Sequence, residues 1–554
     1  MHPRSFVPSV CVLLLTASGA ALAPAHAQTA ASGPRKASAM TASAPLTRPE
    51  RTGFRETSRY DDVVRFINDI DARSPLIHQT TFGYSLEGRP LPLVVVGKVK
   101  DASAAAVKAS GKTRVYIQGN IHAGEVEGKE AMQILLRELA AGQHAAWLDS
   151  LVLLIAPIYN ADGNERVQLN ERPQQNGPVG GVGTRPNAQQ LDLNRDHMKM
   201  ESPEARSLAW LLREYDPQLG VDLHTTNGTY HAYHLTYSVP MHPNTPAPIV
   251  DWLRQAWIPS ITTTIKQKDG WDFYYYGNVG ERGPGASASQ AESARSWATF
   301  DYRPRFNNNY FGLRNRLAIL SEAYAYLSFE DRIRVTQRFV IEILNYASAN
   351  AARIKTIVED ADRQPVIGES LAVRATLEKS ADAVDILMGG VARVRHPYTG
   401  LVMLQRTDER RVERMPVYGT FAATEREKAP AAYFVPASLD AIVDLLHAHG
   451  ARTVRLDAPR AIDVEVFEIA SSTAAAQRFQ NHNERTVTGR YAARRETVPA
   501  GTVMVPMDQP LARVIFTLLE PRSDDGVVNW NMLDKVLEET KTYPIWRTHD
   551  RAAR

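Results

Sequence analysis

Arg114-Val115-Tyr116-Ile117-Gln118-Gly119-Asn120-Ile121-His122-Ala123-Gly124-Glu125 is the stretch on which the reading of the chain turns. Its first six residues are rich in β-branched and aromatic types and end on glycine, which predicts a buried strand running into a tight turn. His122 and Glu125 then fall at the strand's carboxyl end, the edge of an α/β sheet where ligands collect. An imidazole nitrogen and a carboxylate oxygen suit zinc, which in a catalytic site takes one further protein ligand and keeps a position open for water. Taken alone, His-x-x-Glu is a common spacing that a solvated loop pair would also show.

A third ligand is offered by Leu219-Gly220-Val221-Asp222-Leu223-His224, a second apolar run that ends on histidine. Before it, Ser202-Pro203-Glu204 with Leu208, Leu211, Leu212 and Tyr215 gives an N-cap, a proline at the first helical position and an apolar stripe. Met132, Leu135, Leu136 and Leu139 repeat the helical spacing after the first site, so helices alternate with strands in one sheet. In Leu191-Asp192-Leu193-Asn194-Arg195, period-two alternation puts Asp192 and Asn194 on one side. Leu317-Ala318-Ile319-Leu320-Ser321-Glu322 is another buried run ending in a carboxylate, and Glu322 is a candidate general base. The competing reading makes Glu322 a structural carboxylate paired with Arg314 or Arg316.

These residues resemble the zinc carboxypeptidases of the carboxypeptidase A and B family. The resemblance rests on ordered motifs over about residues 55–350: His122-x-x-Glu125, Asn160-Ala161-Asp162-Gly163, Asp192-x-Asn194-Arg195, the Ser202-Pro203-Glu204 helix, His224 and Glu322. It implies an α/β fold, a mixed and mostly parallel sheet sandwiched by helices. It implies one Zn2+ per chain, held by His122, Glu125 and His224, with Glu322 as the base that takes the water proton. Asp192 would orient His122. Asn194 and Arg195 would grip the terminal carboxylate of a peptide substrate. Arg172, with Arg166 second, is the expected oxyanion stabiliser, in a loop from Gly163 to Pro186 that departs from the family pattern. Tyr302 and Tyr310 are the candidates for a substrate-capping tyrosine, and Asn307 falls near the position that sets side-chain preference. The different readings on this scaffold are a zinc amidase or deacylase acting on cell-wall peptides or acylated amino acids, and a binding protein for peptides or glycans without catalysis.

Some tempting features are set aside. Gly111-Lys112-Thr113 imitates the end of a phosphate loop, but Ala106 stands where its first glycine is required. His231 and His234 read as pocket wall, and Glu127 as a carboxylate favoured by a helix start.

Arg4, the apolar run Val10–Leu15 and Ala25-His26-Ala27 predict a signal peptide over 1–27, hence an exported protein, periplasmic or secreted. Cys11, the sole cysteine, lies inside it, so the remainder holds no disulfide. The remaining charge excess of +2 gives no reason to expect nucleic acid as a partner, and no other run approaches a membrane span. Residues 28–54 read as a flexible lead-in and 55–355 as the catalytic domain. From Gln364 to the end, short runs such as Val464–Ile469 and Val503–Pro506, with a helix at about Leu439–His449, predict a smaller β-rich domain of unassigned role.

Overall fold

The computed structural model describes residues 44–226, 228–280 and 295–553, and Ala44–Arg554 forms one compact unit. The leader expected at 1–27 lies outside the described residues. So does the lead-in as far as Ser43. The end of that lead-in is tied down: Glu50 closes a capping box with Thr47 and is gripped by Arg137 through two hydrogen bonds of 2.7 Å.

Numbered along the chain, the strands that frame the site are β1 (Ile77–Tyr84), β2 (Pro90–Val96), β3 (Thr113–Gly119), β4 (Leu151–Ala156), β5 (Leu219–Thr226), β6 (Leu235–Ser238), β7 (Phe273–Tyr275), β8 (Asn278–Gly280), β9 (Ser296–Ala298), β10 (Leu317–Tyr324), β11 (Ser370–Arg395) and β12 (Val402–Lys428). The central sheet is mixed and eight-stranded, in the order β1-β2-β4-β3-β5-β10-β6-β7. Its middle, β4-β3-β5-β10, is parallel. Both faces of that middle are covered, which is why β3, β4 and β5 are buried along their whole length and β4 reads as an unbroken apolar run.

Period-two alternation divides these strands between two cores. Leu151, Leu153 and Ile155 of β4, with Leu219, Val221 and Leu223 of β5, pack beneath helices Tyr60–Asp71, Glu127–Ala140 and Phe329–Ala349. Val152, Leu154 and Ala156 face the other way, onto helix Pro203–Tyr215, and that core runs on into Val443, Leu446, Phe516 and Leu519 of the C-terminal region. The second face of the catalytic sheet is thus roofed partly by residues beyond 364.

The C-terminal region contains the expected strands within Arg460–Ala474 and Val503–Pro506 and the helix Asp440–His449. It also holds what the sequence did not suggest, an antiparallel ribbon of β11 and β12, whose 26 and 27 residues pair through repeated bulges. β12 pairs with β9, so one small sheet is shared between the two halves.

A buried polar join is made by Arg305, whose side chain is 1% exposed. Its guanidinium lies 2.5 Å from Asp525 and from Glu484, its backbone N–H donates to Asp525 at 2.8 Å, and it stacks over Phe479 and Trp530. Removing one partner of a buried pair costs up to about 3–5 kcal/mol, here lessened by Glu484, which would still face the guanidinium. Asp525→Ala is therefore expected to lose stability, by up to that amount, in denaturant unfolding; a variant as stable as the parent would contradict this role.

Candidate functional site

β3 ends at Gly119, where an added Cβ would come within 2.9 Å of the Lys129 nitrogen, so only glycine lets the following helix pack so close. Asn120 turns the chain at φ +66°, and the Glu125 N–H closes back on the His122 carbonyl at 2.9 Å. This turn presents His122 and Glu125 beside the end of β5, where His224 lies. One ligand atom from each of the three falls within 4.8 Å of the others, and all three residues are buried.

The outer nitrogens show how the rings are held. His122 Nε2 lies 3.0 Å from Asp192 Oδ1, and His224 Nε2 lies 2.8 Å from Asp222 Oδ2. With those nitrogens carrying the protons, both Nδ1 atoms turn toward Glu125, at 3.1 and 2.9 Å. Two imidazole nitrogens and a carboxylate, each ring braced by a second carboxylate, fit a zinc site. Asp222 was missed in the sequence, although Asp-x-His on a strand puts both residues on one face. It is itself held by Gln118, which donates to it at 3.0 Å and accepts from Tyr116 at 2.9 Å.

Asp192 does not stand on a strand. It caps the short turn Leu193–Arg195, its Oδ1 accepting the Asn194 N–H at 2.9 Å, and so reaches the site by a local hydrogen bond rather than by strand alternation. Burial works against its charge, but His122, then Arg185 and Arg195, hold its carboxyl well below the usual range. Glu125 is likewise held low against burial, by His122 and then Arg172.

Two arginines flank the cluster. Arg172 spends its donors within the protein, on Glu125 Oε1 at 2.9 Å, the Thr225 carbonyl at 3.1 Å and Gln175 at 2.8 Å. Gly124 makes room for it, since a Cβ there would meet the Arg172 chain at 2.9 Å. Arg185, which the sequence reading passed over, binds Asp192 at 2.8 Å and stands 3.6 Å from Glu125, with 43% of its side chain exposed. Both line an open cleft of about 400 Å³ with Glu171 and Tyr326. Arg166 instead pairs with Glu87.

Glu322 stands directly beside His224 in the parallel pairing of β10 with β5, so their side chains share a face. Arg314 turns to Tyr310 and the His449 carbonyl, and Arg316 to Asp216 and Asp362, so neither supplies the ion pair of the competing reading. Burial pushes the Glu322 carboxyl up to about 8, against the pull of His224.

Asn194 accepts from the Asn307 N–H at 2.9 Å and lies 3.5 Å from His224 Nε2. Arg195 donates to the Asn194 carbonyl at 2.7 Å, and its guanidinium covers the Phe306 ring at 3.9 Å. An aromatic row continues from Phe306 through Phe300 to Tyr276, at 5.1 and 5.4 Å between centroids. The structure does not bring Tyr302 or Tyr310 to the cluster. Tyr302 bonds Asp524 at 2.5 Å, and Tyr310, fully buried, bonds His449 at 2.8 Å; both hydroxyls are consumed in joining the C-terminal region. Tyr276 is near enough to feel the site's charge: its phenol is pushed up to about 12, first by burial and then by the Glu322 carboxylate. Asn307 is also spent, on His197 at 3.2 Å. His231 is buried against Tyr324, and His234 stacks on Trp271.

Residues 63–303 match the zinc carboxypeptidase family, peptidase M14. The resemblance drawn from the ordered motifs is borne out, and the family match supports a zinc-dependent metallocarboxypeptidase, a hydrolase of the peptidase class. It is 25% identical over 485 residues to "Carboxypeptidase 2" of Trichophyton tonsurans, covering 84% of this chain and 81% of that one. For "Carboxypeptidase 2" of Trichophyton rubrum the identity is 24% over 480 residues, with 84% and 81% covered. These spans run far past residue 303, so the relatives share part of the C-terminal region. Among solved structures, a metallo-carboxypeptidase from Burkholderia cenocepacia aligns at 16% identity and TM-score 0.39, covering 53% of this chain and 70% of that one.

If Asp222 orients His224, Asp222→Ala should weaken zinc binding by about 10–100-fold in competition with a chelator. Unchanged affinity would remove Asp222 from the site's support.

Proposed function

We propose that the protein is an exported zinc carboxypeptidase that removes C-terminal residues from peptides. His122, Glu125 and His224 hold the metal. The observation that carries this reading is the meeting, at neighbouring strand ends, of a His-Glu-His donor set, two orienting aspartates and a carboxylate to which, among the described residues, no arginine hydrogen-bonds. Zinc bound there would supply Lewis acidity at the scissile carbonyl and lower the pKa of a water toward neutrality.

The chain's own residues do the rest. Glu322 accepts the proton of the attacking water and returns it to the departing amine. Arg185 takes the oxyanion role expected of Arg172, since its guanidinium is the more exposed of the two, while Arg172 fixes Glu125. Arg195 binds the terminal carboxylate with its guanidinium fork, which the Phe306 ring holds flat. Tyr276 closes over the substrate from the far end of the aromatic row. Export rests on the leader read at 1–27; among the described residues, no helix is long and apolar enough to cross a membrane.

His224→Ala should strip the metal, and a full zinc complement in that variant would overturn the ligand set. Glu322→Gln should keep zinc and lose about 100-fold or more in kcat on a peptide with a free C-terminus; unchanged turnover would remove it as the base. Arg195→Ala should raise KM chiefly for peptides with a free terminal carboxylate. Equal losses on amidated peptides would favour the amidase reading instead.

A further inference from the structure

The turn Asp192–Arg195 carries most of the proposed substrate end of the site, yet one of its fixing contacts comes from 288 residues away. The Asp192 backbone N–H donates to Gln480 Oε1 at 2.8 Å. Gln480 belongs to the loop that joins strands Arg460–Ala474 and Arg485–Val498 of the C-terminal region. A backbone N–H can only donate, so the amide oxygen, not the nitrogen, must face Asp192.

Two features set this loop apart. Gln480 and Asn481 adopt φ of +50° and +68°, the left-handed pair of a two-residue hairpin turn, in which glutamine, unlike asparagine or glycine, sits at a steric cost. Strain of this kind persists only where the surroundings over-determine it. The surroundings do so here: Phe479 and His482 exchange two backbone hydrogen bonds of 2.7 and 2.9 Å, and His482 Nε2 meets Glu201 at 2.8 Å. Phe479 lies beneath Arg305, and Asn531 donates to the Asn483 carbonyl at 2.7 Å. The left-handed turn is what aims the Gln480 side chain at the catalytic half.

From these contacts we infer that Gln480 is a positioning residue for the zinc and substrate site, supplied by the C-terminal region. It acts through the Asp192 backbone. By fixing the nitrogen of the residue whose carboxylate holds His122, Arg185 and the Asn194 N–H, it sets where a metal ligand and the carboxylate-binding pair stand. Asp192 has its side chain fully engaged, so a backbone anchor adjusts all three contacts together. This inference rests on the zinc carboxypeptidase reading above. It gives the C-terminal region a part in the reaction besides roofing the sheet.

The test uses the full chain with two substitutions, Gln480→Met, which keeps length and removes the acceptor, and Gln480→Glu, which restores an acceptor oxygen. Zinc affinity is measured by chelator competition, and kcat and KM on a peptide with a free terminal carboxylate. Gln480→Met should weaken zinc binding several-fold and raise KM about tenfold with little change in kcat, and Gln480→Glu should recover most of both. If Gln480→Met only lowers the melting temperature, leaving zinc affinity and KM at parental values, the loop is structural and the inference fails. Should the parent chain bind zinc without cleaving the peptide, the carboxypeptidase reading fails separately, and the zinc measurement still decides the role of Gln480.

Discussion

The register between β5 and β10 is the constraint on which the site depends. Leu219 pairs with Leu317 and His224 with Glu322, and the apolar members of both strands at odd numbers are buried in the core beneath the long helices. A slip of one residue in either strand would turn His224 or Glu322 into that core and its leucines toward the site, so burial enforces the alignment. β3 lies on the other side of β5 and delivers His122 and Glu125 just past its end. The donor set therefore follows from strand pairing, and the side chains need little freedom to find it.

Electrostatics then divides the labour among carboxylates that look alike in sequence. Glu125 and Asp192 are surrounded by histidine and arginine and are held ionised despite burial. Glu322 lies beside the same histidine but no arginine hydrogen-bonds to it among the described residues, and its carboxyl is pushed the opposite way. A dication on the three ligands would draw Glu322 back toward the ionised form, because a nearby opposite charge favours it. On the proposed reading, binding of the metal and the readiness of Glu322 as a base are thereby linked.

Much of the catalytic half was legible because its signals are local. Strand β3, helix Pro203–Tyr215 with its Ser202 cap, and the strand ends at His224 and Glu322 each declare themselves within ten residues or so. Asp222 was equally readable two residues before His224. What escaped depends on distance along the chain. Tyr302 and Tyr310 sit at plausible spacings before Glu322, but their hydroxyls are taken by Asp524 and His449, partners more than a hundred residues away. Arg172 and Arg185 share a loop, and only the fold shows that one is spent on Glu125. The long ribbon of β11 and β12 stayed hidden because its bulges break the alternation and its outer half is largely exposed. The expectation of a separate accessory domain missed the shared sheet and the shared core for the same reason.

One zinc ion held by His122, Glu125 and His224 is the centre of the proposed site. X-ray absorption at the zinc edge of the purified full chain addresses it directly. The predicted result is one zinc per chain, with two imidazole nitrogens and carboxylate or water oxygens in the first shell at about 2.0–2.2 Å. A chain that binds no zinc, or zinc whose shell lacks a pair of imidazoles, would contradict it.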